Sequence, residues 1–257
     1  MARRWLSLRH SLAAEATLIL GFYATYEAAR GLVAGARQPA IQHAQEVLAL
    51  ERALHLFAEP HIQHLARDIP TLLGTLDVAY LTLHLSVSAG LLLWLYRRRP
   101  AAFPLVRTTL IIASALSLIG FLAFPTAPPR MAAAGLSDTV SQGAINLNHG
   151  LVSSLYNPYA AIPSMHAGYA LIVGAALMRY GHRILVRTAG ALYPPFVLLV
   201  IVATGNHFFF DAATGALVAG ASAALALPLT RAKPQAEILT LAAPPAPESR
   251  TALKRAA

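Results

Sequence analysis

The stretch from residue 102 to 124, AFPLVRTTLIIASALSLIGFLAF, constrains the fold more than any other. It contains a single charge, Arg107. A helix of about 20 such residues covers the roughly 30 Å of a bilayer's hydrocarbon core. Comparable runs recur at residues 12–34, 71–96, 164–181, 184–204 and 207–229. Six runs of this kind predict an all-α polytopic membrane protein with six transmembrane helices. Composition agrees: charged residues make up 12% of the chain, about half the share in soluble domains. The absence of cysteine excludes disulfides and thiolate metal sites. Pro194 and Pro195 predict a kink in the fifth span. The first span follows Met1-Ala-Arg-Arg, as a signal peptide would. Glu15 interrupts its apolar run and no clean small-residue cleavage site follows, so a retained span is the reading adopted.

The formal charge of +9 invites a nucleic-acid reading, and the placement of the basic residues decides against it. With the N-terminus inside, fifteen of the twenty Lys and Arg fall on the inner side, and Arg30, Arg37, Arg52, Arg67 and Arg130 on the outer. That bias is the positive-inside signature of cytoplasmic loops. It predicts a protein of the cytoplasmic (plasma) membrane with both termini cytoplasmic, and no nucleic-acid partner. Residues 1–232 form the membrane domain. Within it, residues 40–66, AIQHAQEVLALERALHLFAEPHIQHLA, place Ile41, Val47, Leu48, Leu54, Phe57, Ile62 and Leu65 at helical spacing among charges. These predict amphipathic interfacial helices on the extracytoplasmic side. Residues 233–257, rich in Pro and Ala and charged at the end, predict a disordered cytoplasmic tail.

Three polar stretches interrupt the apolar chain: FPTAPPRM after the third span, IPSMH opening the fourth, and TGNHFFFDAATG opening the sixth. The arginine-derived topology puts all three at the extracytoplasmic face. His207 and Asp211 are four apart and share a helix face. A carboxylate on one ring nitrogen orients a histidine as a base or nucleophile; an interfacial polar pair is the structural alternative. Ser164 is placed to cap the fourth span, and Asn206 to cap the sixth. Each end then offers unpaired N–H groups to an anion, or is simply a cap. Arg130 suits a phosphate or snorkels to headgroups. Together, two histidines, one orienting carboxylate, an arginine and two helix starts are what phosphoryl transfer needs. No metal or other cofactor is required for it. Two histidines and an aspartate also form a ligand set, but that leaves Ser164 and Arg130 unexplained.

These residues resemble the type 2 phosphatidic acid phosphatase superfamily of six-helix membrane enzymes. PSMH resembles its Pro-Ser-Gly-His motif with Met165 in place of glycine, and HFFFD the end of its Ser-Arg-x5-His-x3-Asp motif. Arg130 stands where the arginine of its Lys-x6-Arg-Pro motif would be. The resemblance implies that His207 becomes phosphorylated, Asp211 orients it and His166 is the general acid and base. Ser164, the N–H of Met165 and Arg130 would hold the phosphoryl group. The chain departs from the pattern at Ala123, Met131 and Ile201, where the motifs carry lysine, proline and arginine. Together with APPR, NPYAAIPSMH, TGNH, ERALHLFAE and the Tyr80/His84 pair, it is more similar to the inositol phosphorylceramide synthase branch and its bacterial members. That branch implies a transferase moving a phosphorylated headgroup, such as phosphoinositol, from a phospholipid to a lipid or alcohol acceptor. A hydrolase of lipid phosphates or polyprenyl diphosphates shares the first half-reaction.

Several residues carry two readings. Asp77, Tyr80 and His84 share one face of the second span and either line a substrate cleft or form an interhelical network. Asn157 either turns the chain before the fourth span or touches substrate. His61 and His64 fit an interfacial helix better than a metal site. Glu15 and Glu27 are expected to pair within the bundle. A proton-coupled transporter is the competing class, but the motif residues gather at one membrane edge rather than at midplane.

Overall fold

Without water, every backbone N–H and C=O needs a partner within the chain, and a helix supplies one segment by segment. The computed structural model describes residues 12–69, 71–132, 134–142 and 157–230. Among them the fold is all-helical, with one isolated bridge between Thr126 and Ala160. The helices are α1 (Leu12–Leu32), α2 (Arg37–Ala53), α3 (Glu59–Arg67), α4 (Leu72–Arg98), α5 (Phe103–Ala123), α6 (Thr139–Gln142), α7 (Met165–Tyr180), α8 (Ile184–Ala203) and α9 (Phe209–Thr230). A 3-10 turn occupies Pro129–Met131. The expected tail and the Met1-Ala-Arg-Arg start lie outside the described residues.

Four of these helices, α4, α5, α8 and α9, are long and apolar enough to cross a membrane. The protein is therefore membrane-integral. The other two expected spans fall short of that standard for separate reasons. Glu15, Glu27 and Arg30 dilute the apolarity of α1. Helix α7 has 16 residues, about 24 Å at 1.5 Å per residue.

The bundle is built inside out, as lipid solvent dictates. On α9 the buried positions are Asp211, Gly215, Ala219, Ser222 and Ala226. Leu217, Leu225 and Leu229 point outward, 73%, 51% and 71% exposed. Burying each leucine would be worth about 1.5–3 kcal/mol in water; facing lipid it costs nothing. Small inward residues let α9 lie close along α5 and α7, while α7 packs along α8. Pro194 and Pro195 lie inside α8, which continues through both.

The amphipathic segment departs from expectation in what it buries. Val47 and Leu48 are inside, packed with Ala127 and Phe208. Leu54 and Leu65 are exposed, and Glu51, Glu59 and Gln63 are buried instead. These polar groups serve backbone groups of distant elements: the Gln63 side-chain amide donates to the carbonyls of Ser137 and Ala203 at 3.1 and 3.2 Å. A burial pattern set by such partners has no 3.6-residue apolar signature. Elsewhere Glu15 pairs with Arg107 within the bundle, as expected. Asp77 accepts a 2.6 Å hydrogen bond from Thr139, which gives it an interhelical role.

Candidate active site

The junction of α8 and α9 builds the first half of the site. Gly205 ends α8 with φ +69°, a left-handed turn that glycine adopts without strain. The N–H groups of Asn206 and His207 both return to the Ile201 carbonyl at 3.1 Å. The chain then enters α9, and Asp211 lies one turn past His207. Asp211 Oδ2 sits 3.1 Å from His207 Nδ1 and accepts the Phe208 N–H at 2.9 Å. A carboxylate can only accept, so Nδ1 donates and Nε2 keeps its lone pair. Both residues are buried, Asp211 completely.

The start of α7 supplies the second half. Ser164 caps the helix, as the sequence suggests, accepting the Ala167 N–H at 3.4 Å. Its own N–H donates to the Asp211 carbonyl at 3.0 Å. Gly215 permits this approach: a Cβ there would stand 2.1 Å from the Ser164 carbonyl oxygen. Clamping the two helix starts together leaves the His166 and His207 ring centres 5.6 Å apart. His166 is held on its other side by α4. It stacks on Tyr80 at 4.4 Å, meets His84 edge-on at 4.4 Å, and donates from Nε2 to the Tyr80 carbonyl at 3.2 Å.

Arg130 arrives on the Pro129–Met131 turn. The loop before it is tied to α2 through the bond from the Ala127 N–H to Ala40, and to the approach to α7 through the bond from the Thr126 N–H to Tyr159. The guanidinium donates to Asn206 Oδ1 and lies 3.2 Å from Asp138. This corrects the expectation for Asn206. Its side chain binds Arg130, Thr204 Oγ1 and the Thr204 carbonyl, while α9 is capped by carboxylates. An asparagine can satisfy either the helix or the arginine, and here it serves the arginine.

These elements enclose a cleft of about 630 Å³, its open mouth included. Arg130, His166, His207, Met165 and Asn206 line it, as do Tyr80, His84 and Asn157. Asp211 and Ser164 stand behind that wall. Asn157 turns the chain, as one of its two readings has it: Oδ1 accepts the Tyr159 N–H at 2.9 Å, and Nδ2 donates to the Arg30 carbonyl at 2.9 Å. The sequence reading missed Tyr23, Tyr169 and, above all, Arg30, which also line the cleft. In the sequence Arg30 is one of five outer-side basic residues, and its position at the outer end of the first span is the available signal. It lies 3.4 Å from Glu27 of the same helix. The positions where the motifs carry further cations do not face this cleft: Ile201 is wholly buried in the core around Val197 and Ala203, and Ala123 is exposed.

A family model described as the PAP2 superfamily matches residues 45–225. No curated protein and no solved structure matches the chain. The matched region begins after α1 and includes α4, the Arg130 turn, the starts of α7 and α9, and the α2–α3 segment. Lipid phosphate phosphatase or phosphotransferase chemistry goes with that match, and it covers well over half of the 257 residues: the chain belongs to the PAP2 superfamily.

Proposed function

We propose that the protein is a membrane phosphotransferase that works through a phosphohistidine. The observation that carries this is the pair of imidazoles at 5.6 Å in one cleft, one of them anchored by a buried carboxylate. His207 Nε2 attacks phosphorus of a phospholipid or lipid phosphate and forms a P–N bond as the P–O bond to the leaving group breaks. His166 gives that oxygen a proton. Its Nε2 is committed to the Tyr80 carbonyl, which leaves Nδ1 for proton traffic. An acceptor alcohol then returns the proton to His166 as its oxygen takes the phosphoryl group from His207. Arg130 and the N–H groups opening α7 hold the non-bridging oxygens as charge develops. Arg30 supplies the second cation that the motif positions lack. No metal takes part in these steps.

The bundle completes six spans with α1 and α7, and its termini are cytoplasmic. The cleft lies where α5 and α8 end and α7 and α9 begin, which is one end of the bundle; the arginine bias assigns that end to the extracytoplasmic side of the plasma membrane. α2 and α3 cover it there.

The choice of acceptor is tested with purified protein and a phospholipid labelled in its phosphate. The label is expected to move to an added alcohol or lipid acceptor, inositol-derived headgroups included. Release of free phosphate under every acceptor condition would replace transfer by hydrolysis. Arg30→Met is expected to raise KM for the lipid phosphate about tenfold, with Arg30→Lys intermediate. This tests the guanidinium as a phosphate ligand, because a bidentate contact is only partly reproduced by an ammonium.

A further inference from the structure

Three successive backbone N–H groups open α9, and each donates to a carboxylate. Phe208 donates to Asp211 at 2.9 Å, Phe209 to Glu59 at 3.1 Å and Phe210 to Glu51 at 2.7 Å. The first bond is local. The other two cross 150 and 159 positions of sequence. Glu51 and Glu59 are the first and last residues of ERALHLFAE, from the end of α2 and the start of α3. Glu51 is 2% exposed and Glu59 fully buried.

A helix start attracts one negative charge, but three carboxylates in one dry site repel each other. The Glu51 and Glu59 carboxyls accept from the adjacent N–H groups of Phe210 and Phe209, which brings both to the same helix end. The Oε2 of each is buried with no donor among the described residues. A single proton between them satisfies both oxygens and removes one of the three charges. Among the described residues, no three acidic or imidazole groups are arranged to hold a metal ion instead.

We propose that Glu51 and Glu59 share one proton and together hold the start of α9 in the register that aims His207 into the cleft. They are positioning residues for that histidine, and their effect on turnover rests on His207 being the reacting group. Burial, then the bond with Glu59, raises Glu51 from the ordinary 4.5 to about 9, so the pair holds its proton at neutral pH. The groups facing it are Glu59 on α3 and Asp211 on α9, the latter bonded to His207. The turn packed on α2 carries Arg130, engaged with Asn206 and Asp138. Because the folded value lies above the unfolded one, this stabilisation is complete below pH 4.5 and is lost as pH rises through about 9.

Thermal unfolding of the full chain in detergent, from pH 5 to 9, reads the pair without turnover. Glu51→Gln mimics the protonated carboxyl. The unfolding midpoint of the parent is expected to drop below that of Glu51→Gln by a margin that widens to several degrees as pH rises. A margin constant across pH overturns the shared proton. Kinetics on a lipid phosphate read the positioning. Glu51→Ala is expected to lower kcat per folded molecule roughly 10–100-fold at unchanged KM, the scale of a small misplacement of the reacting group. Glu51→Gln restores most of that kcat at pH 7 and shifts the alkaline limb of the profile upward. An unchanged kcat per folded Glu51→Ala molecule, or an unshifted limb in Glu51→Gln, overturns positioning. Failure of the phosphohistidine reading instead appears as full turnover in His207→Ala, with the unfolding difference intact.

Discussion

His207→Ala is expected to abolish turnover on every lipid phosphate the parent accepts, by more than about 1,000-fold, whether the product is measured as transferred or released phosphate. The size of the loss follows from the site. Among the described residues no other side chain combines an imidazole with a buried carboxylate: His166 is bonded to a carbonyl, and His84 lies behind it against Tyr169. In the proposed mechanism both half-reactions pass through the same P–N bond, so losing the imidazole is expected to remove both at once. The protein should remain folded. The helix start that His207 precedes is held by Asp211, Glu59 and Glu51, none of which needs the imidazole to bind the backbone. Initial rates normalised to folded protein in detergent check this. Adding free imidazole to the Ala variant is expected to restore a small, concentration-dependent rate.

His166→Asn is expected to cost about 100- to 10,000-fold on an ordinary lipid phosphate, the usual range for losing a general acid. The loss depends on the leaving group. An alkoxide leaves poorly without a proton, whereas an aryloxide leaves without help. The deficit of His166→Asn therefore shrinks by at least tenfold on an aryl phosphate ester, while that of His207→Ala does not. An equal deficit on both substrates would remove His166 from the proton-donor role. The geometry supports the division of labour. His207 is fixed by an anion, which favours nucleophilic attack through Nε2. His166 sits between Tyr80 and His84 with its Nε2 committed to the Tyr80 carbonyl, which leaves Nδ1 for the proton.

Much of this site is visible in the chain because its signals are local. The four-residue spacing of His207 and Asp211 sets their contact on one helix face. The Pro163-Ser164 start of α7 announces a cap, and Ser164 performs it. The four-residue spacing of Tyr80 and His84 sets them on one face of α4, where both meet His166. What the sequence conceals depends on partners far along the chain. Asn206 resembles a cap until Arg130, 76 positions away, claims its oxygen. Glu51 and Glu59 read as the charged side of an amphipathic pattern until α9 brings its backbone to them. Arg30 is accounted for by topology alone, and only the folded cleft sets it beside Asn157 and the histidines. The same holds for span number. Apolar runs mark six segments, yet α1 and α7 lack the hydropathy or the length of the other four.

The covalent intermediate can be measured directly. The purified protein is mixed with a lipid substrate labelled at phosphorus, quenched in alkali within one turnover, and digested to locate the label. A phosphoramidate survives base and is cleaved by acid. Acid-labile, base-stable label on the peptide containing His207, absent in His207→Ala and accumulating in His166→Asn when the aryl ester is the donor, is the result expected here. Sustained turnover by the parent with no label on that peptide at any quench time would contradict it.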